Sequence, residues 1–172
     1  MIETNRLLLR MWENDDAEML YEHAKLSVIA NMGGWPVHSN TEYSMQVIRD
    51  ILVPEHAYAI ILKENNMLIG NVGFHLQEKS NMCIHADEAE ISYWIGAEFW
   101  GMGYAPEAVN DIIRYKFISG AFKTIWACYI EGNNRSKRVL EKCGFEYART
   151  EKEKYWSMID TYHITHIMKI SV

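Results

Sequence analysis

The stretch "ISYWIGAEFWGMGYAPEAV", residues 91–109, decides how this chain is read. Apolar positions alternate through its first residues, Gly101 and Gly103 break the pattern with a turn, and Pro106 stands where it opens a helix. The order is strand, glycine turn, helix. Free N–H groups in the 100–105 turn, together with the positive end of the helix, can bind a phosphate without any lysine. Two familiar phosphate loops are excluded. A dinucleotide fingerprint needs a glycine where Pro106 stands and an acidic residue about twenty positions on, where the sequence reads "GAFK". A Walker A loop needs Gly-Lys-Ser/Thr, which the chain lacks.

Periodicity extends outward from this stretch. "NRLLLRM" at 5–11 reads as a strand, and Asn14 or Asp15 caps a helix through "DAEMLYEHAKL". "NMGGWPVHSN" reads as a loop, and "TEYSMQVIRDIL" as a second helix capped by Thr41. "HAYAIILKE" and "MLIGNVGFHLQ" flank Asn65–Asn66 as an antiparallel hairpin. After the glycine turn, Ala108, Val109, Ile112, Ile113 and Phe117 recur at helical spacing and form one apolar face. "KTIWACYI" returns as a strand, "NRSKRVLEKCGF" is a helix stopped by Gly144, and "DTYHITHIMKI" alternates as a terminal strand. The sum is a single mixed α/β domain over residues 1–172 with a largely antiparallel sheet.

Bulk composition narrows the partners. With 172 residues, 49% hydrophobic and 23% charged, the chain can bury one sizeable core. A formal net charge of −6 argues against nucleic-acid binding, which needs a basic footprint. Cys83, Cys128 and Cys143 lie far apart and form no Cys-x-x-Cys pair, so a reducing, cytoplasmic setting is expected rather than a disulfide framework or zinc site. "MIETNRLLLRMW" holds no signal-peptide core and no apolar run approaches membrane-spanning length, so no membrane association is expected.

"WGMGYAPEA", followed downstream by "NNRSKRVLEKCGF", resembles the Gcn5-related N-acetyltransferase (GNAT) superfamily, and more narrowly its ribosomal-protein N-terminal acetyltransferase-like (RimJ/RimL-like) branch. The superfamily pattern Gln/Arg-x-x-Gly-x-Gly/Ala maps onto Trp100, Gly103 and Ala105, with Trp100 in the form common in that branch. "TNRLLLRMWENDDAE", "IGNVGFHL" and "DTYHITHIMKI" resemble the branch's opening, middle and closing segments, so the likeness runs nearly end to end. It implies a twisted, mostly antiparallel sheet of about seven strands flanked by about four helices.

The same resemblance implies acetyl-CoA as donor and a primary amine as acceptor, with the monomer or homodimer state left open. The N–H groups of Trp100, Gly101, Met102, Gly103, Tyr104 and Ala105 would hold the pyrophosphate. Tyr93, Trp94 and Ile95 would pair backbone groups with the pantetheine arm and aim one N–H at the acetyl carbonyl. Asn133 and Ser136 match the family's Asn-x-x-Ser, which contacts CoA. The basic cluster Arg135, Lys137, Arg138 and Lys142 reads either as facing the CoA phosphates or as a solvated helix face.

Chemistry sets the remaining needs. An α-amine of pKa near 7.8 costs roughly 1 kcal/mol to deprotonate at pH 7, and a lysine near 10.4 roughly 4.6, so a base matters more for lysine. Strand alternation puts Glu90, Ser92 and Trp94 on one face and Ile91, Tyr93 and Ile95 on the other, and Glu90 is the candidate base, acting through water. Many superfamily members carry a Tyr acid where this chain has Leu140, so Ser136 is the replacement candidate for the acid. Glu107 reads as a structural carboxylate in the first turn of its helix. His163 and His166 point to opposite faces of a strand, His75 and His85 are isolated, and no metal is expected.

Trp35, Tyr43, Tyr155 and Trp156, from the two loops that build the acceptor pocket in the family, are the candidate acceptor contacts. Protein N-termini, aminoacyl compounds, polyamines and amino sugars all stay open as acceptors. A non-catalytic acyl-CoA sensor and a cofactor-free interaction module are the rival readings. A serine hydrolase is not supported, because no Gly-x-Ser-x-Gly elbow is present.

Overall fold

The computed structural model of the chain describes residues 1–171 apart from 77, 78, 81, 83 and 84. Gln77, read as the end of a hairpin strand, and Cys83 lie outside the described residues. Leu7 and Leu9 alternate with Leu8 and Arg10, and the first pair is fully buried, so this segment forms β2 (Leu7–Met11). The hairpin is present as β3 (Tyr58–Leu62) and β4 (Leu68–His75), and the decisive stretch supplies β5 (Glu88–Ile95) and α4 (Tyr104–Ile118). The expected apolar face of α4 is its buried face, with Ala108, Val109, Ile112 and Ile113 in the core. Each of the larger three contributes about 1.5–3 kcal/mol by burial. β6 (Thr124–Ile130), α5 (Asn134–Lys142), β7 (Glu146–Trp156) and β8 (Thr161–Ser171) complete the chain.

Among the described residues one sheet of eight strands runs in the order β1-β2-β3-β4-β5-β6-β8-β7. Every neighbouring pair is antiparallel except β5 with β6. Both faces are covered. Leu9, Ile60, Ile112 and Leu140 belong to one core cluster, and Trp12, Leu20, Ile48 and Ile61 to the other. That double coverage explains why β4 is buried at nearly every position instead of alternating.

Four local expectations are corrected. Among the described residues the sheet has eight strands rather than about seven, because β1 (Ile2–Glu3) adds two residues beside β2, too few for any periodicity to register. Among the described residues five α-helices stand where about four were expected: α1 (Ala17–Ala24) ends before extended Leu26, and α2 (Ser27–Gly33) takes the start of the segment read as a loop. Asn40, not Thr41, caps α3 (Thr41–Val47), its side-chain oxygen accepting the Tyr43 amide at 2.8 Å. Neither Asn14 nor Asp15 caps the first helix. A 3-10 turn over Asn14–Asp16 precedes it, and buried Asp16 reaches back to accept the Glu13 amide at 2.9 Å while Arg10 binds both its oxygens at 2.7 Å.

Candidate active site

β5 and β6 pair through Glu88–Thr124, Ala89–Ile125 and Glu90–Trp126, and there the ladder stops. Both strands continue. β5 stays bonded to β4 as far as Ile95, and β6 to β8 as far as Ile130, so the sheet opens between them. The Gly96 amide donates to the Ile69 carbonyl at 2.8 Å on the β4 side. The two-residue period of an antiparallel ladder then turns the polar groups of Ser92 and Trp94 toward β4 and those of Tyr93 and Ile95 into the gap. The Ile95 carbonyl accordingly accepts the Trp100 indole N–H at 2.7 Å. A cavity of about 850 Å³ follows this opening from the glycine turn to the segments around Trp35 and Trp156.

At the turn, Gly101 and Gly103 have φ of +81° and +82°, a region that glycine enters without the penalty other residues meet. Gly103 is the N-cap of α4. None of the amides from Gly101 to Ala105 finds an acceptor among the described residues, and together they form a run of donors at the positive end of a 15-residue helix. Trp100 departs from the expectation. Its amide donates to the Ala97 carbonyl at 3.3 Å and its indole to Ile95, so the donor run begins at Gly101. Met102 is exposed and does not line the cavity, and its carbonyl accepts Arg6 Nη1 at 3.0 Å.

Arg6 is a residue the sequence reading missed. It stacks 4.4 Å from the Tyr104 ring centroid, and its amide and Nε each donate to Glu107 at 2.7 Å. Thr4 Oγ1 adds a third bond to that carboxylate at 2.6 Å. Burial alone would raise the Glu107 pKa, but the bonds from Thr4 and Arg6 outweigh it and hold the group below its ordinary value.

On α5, Asn133 accepts the Ser136 amide at 3.1 Å and so caps the helix with its oxygen. Ser136 Oγ lies 3.0 Å from the Tyr93 hydroxyl, whose single proton has that oxygen and the Ser136 carbonyl at 3.3 Å as alternative acceptors. Burial raises the Tyr93 phenol well above its usual range, so it stays neutral. Of the basic cluster, Arg135, Arg138 and Lys142 line the cavity, whereas Lys137 pairs with Glu141 at 3.9 Å. The Arg135 guanidinium sits 4.3 Å from the Trp100 ring centroid.

Glu90 is buried at the apex of the opening, where it accepts the Ser80 hydroxyl at 2.6 Å and lies 3.6 Å from Cys128 Sγ. Burial, and then the field of Glu90, raises the Cys128 thiol and keeps it protonated. His75, read as isolated, is opposite Glu90 on β4 and 3.1 Å from the Glu55 carboxylate. Burial depresses its imidazole, but the bond to Glu55 and the field of Glu90 prevail and leave its pKa raised. No sequence signal links these residues, because strand register alone makes them neighbours. Among the described residues no group of side chains is arranged to hold a metal.

At the far end Trp35, Tyr43 and Trp156 line the cavity, whereas Tyr155 turns outward to Asp160 at 2.8 Å and packs on Tyr162. Strand alternation in β7 separates these two neighbours. His38, which the sequence reading did not single out, lies 5.5 Å from Trp35 and 4.9 Å from Tyr43 by ring centroids, and burial lowers its pKa to about 4.

A strand edge opened beside a run of helix-terminal amides is the arrangement that the resemblance implies for an acyl-CoA acyltransferase. Residues 6–146 match the acetyltransferase (GNAT) domain, and the chain belongs to that family. The uncharacterized N-acetyltransferase p20 of Bacillus licheniformis is 31% identical over 148 residues, covering 83% of this chain and 80% of its own. Two solved structures share the fold. The microcin C7 self-immunity acetyltransferase MccE, in complex with acetyl-CoA and AMP, has a TM-score of 0.81 at 23% identity, covering 98% of this chain and 93% of that one. RimL, a ribosomal L7/L12 α-N-protein acetyltransferase in complex with coenzyme A, has a TM-score of 0.80 at 17% identity, covering 98% and 96%. The resemblance to the superfamily is borne out, and the protein is an acetyl-CoA-dependent acetyltransferase. No described helix is long and apolar enough to cross a membrane.

Proposed function

We propose that the enzyme acetylates a primary amine, either a protein N-terminal α-amine or a small-molecule amine, by direct attack in a ternary complex. The observation that carries this reading is the end of the β5–β6 ladder at Glu90–Trp126, beside the unpaired amides of Gly101 to Ala105. The amide run takes the pyrophosphate, and the exposed edge of β5 at Tyr93 and Ile95 takes the pantetheine arm. The amine lone pair attacks the acetyl carbonyl carbon, and an edge N–H receives the charge that develops on oxygen. The amine proton leaves through a water to Glu90. The C–S bond then breaks, and Ser136, backed by Tyr93, protonates the departing thiolate.

A covalent acetyl-enzyme on Cys128 finds no support, because burial keeps this cavity-lining thiol protonated. RimL is described as acting on a ribosomal protein, which favours keeping N-terminal peptides among the acceptors tried. The free thiols Cys128 and Cys143 suit a reducing compartment, and the cytoplasm is the proposed location.

Calorimetric titration with acetyl-CoA, followed by thiol release against amines and N-terminal peptides, tests the reading. Micromolar binding with release for one acceptor class is expected. Binding without release on any amine would replace it with an acyl-CoA sensor.

A further inference from the structure

α2 ends in two consecutive glycines, and each carries an indole. A Cβ on Gly33 would lie 2.0 Å from Trp35 Nε1, and one on Gly34 would lie 2.0 Å from Trp156 Cε3. Bare backbone is what lets the two rings, one from the segment before α3 and one from the end of β7, rest on adjacent residues. Trp94 extends the wall, its ring centroid 6.4 Å from that of Trp35, and it shares its strand face with Glu90. The aromatic wall therefore runs from the mouth of the cavity toward the expected base.

Two polar atoms of this wall are engaged within the protein. Trp156 Nε1 donates to Thr165 Oγ1 at 3.0 Å, and His38 Nδ1 is 2.8 Å from Ser44 Oγ. The indole rings of Trp35, Trp94 and Trp156 give the wall large apolar faces. The Glu55 carboxylate, the other acid lining this part of the cavity, is already paired with His75 at 3.1 Å and Lys79 at 3.5 Å. A second ammonium, as in a polyamine, would displace those pairs, and the hydroxyls of an amino sugar would meet ring carbon. A planar apolar body would bury its faces against indoles at no such cost.

Building on the acetyl-transfer reading of the same cavity, we infer that the acceptor is a small monoamine of the arylalkylamine class, its ring held against Trp35 and Trp156 and its amino group directed toward Glu90.

The test compares 2-phenylethylamine with spermidine, glucosamine and an alanine-initiated hexapeptide, by thiol release and by fluorescence titration of the CoA-saturated protein. Phenylethylamine is expected to exceed the other three in kcat/KM by at least about tenfold. Trp35→Ala and Trp156→Ala are each expected to raise its KM about tenfold while acetyl-CoA affinity holds, and Trp156→Phe, which keeps a ring in place, to recover most of the loss. Saturable phenylethylamine binding without turnover would support the aromatic subsite and overturn the transfer reading. Release with the hexapeptide or spermidine in preference to phenylethylamine would overturn the subsite and leave transfer standing. An unchanged KM in both alanine variants would also overturn the subsite, and neither binding nor turnover would overturn both.

Discussion

Glu90 and Trp126 are the last residues joined across the sheet's one parallel ladder, so the buried carboxylate stands where the two strands part. Its neighbours there are a hydroxyl, a protonated thiol and an imidazole, brought from three other segments. A proton acceptor at that point lies between the two halves of the cavity.

Glu90→Gln keeps the shape and can still accept from Ser80, so acetyl-CoA affinity should be unchanged while kcat/KM at neutral pH falls by about 100-fold. The deficit should shrink as pH rises, because more of the amine arrives deprotonated. A pH–rate profile between 6 and 9 checks this, and full activity below pH 8 would remove Glu90 as base.

Ser136→Ala should lower kcat by about tenfold with little change in acetyl-CoA affinity, since a thiol leaving group near pKa 8.5 needs only modest help. Tyr93→Phe should lower it less, because that hydroxyl acts only through Ser136. Single-turnover kinetics separates the two. Loss of acetyl-CoA binding in Ser136→Ala with kcat intact would reassign the hydroxyl to ligand contact.

Gly103→Pro forces φ from +82° to about −65° and deletes one donor from the amide run. The protein should fold by circular dichroism and lose acetyl-CoA binding in calorimetry. Wild-type affinity in a folded variant would remove the pyrophosphate assignment.

Glu107→Gln replaces three charge-assisted bonds that tie the β1–β2 segment to α4, at an expected loss of about 1–2 kcal/mol after allowance for exposure. The folded pKa is depressed, so this stabilisation is present above the ordinary 4.5 and disappears as pH falls through the lower folded value. Urea unfolding at pH 7 and pH 3 should show a larger difference between wild type and variant at the higher pH.

His38 has its pKa lowered by burial from 6.5 to about 4. Its stabilisation is full above pH 6.5 and is lost as pH falls toward 4, because the unfolded chain binds the proton first. The change should be about 1–3 kcal/mol, reduced from the full shift by partial solvent access. His38→Gln should flatten the stability profile over that interval, as thermal melts at pH 7, 6 and 5 would reveal.

Much of the cleft's backbone could be read from the chain because the signals are local. Gly101 and Gly103 mark positive φ, Pro106 marks a first helical turn, and alternation sets Glu90 and Trp94 on one face of a strand. Arg6, His38 and His75 carried no such signal. Arg6 meets Glu107 only because β2 passes beside the start of α4, and His75 meets Glu90 only through the β4–β5 register. The loss of the Trp100 amide to Ala97 was hidden too, since it depends on a 3-10 turn over Ala97–Phe99 that no periodicity announces.

The sequence by itself determined the strand, the glycine turn, the helix that follows and the family they belong to, because short-range sterics and side-chain period act within a few residues. Only the tertiary structure decided where β5 leaves β6, which amides stay unpaired, and that Trp156 lies on Gly34 beside Trp35. Those features are pairings between distant segments. Neither partner's pattern records where the pairing stops, because each strand stays in register with its other neighbour, β5 with β4 and β6 with β8, past the last pair they share.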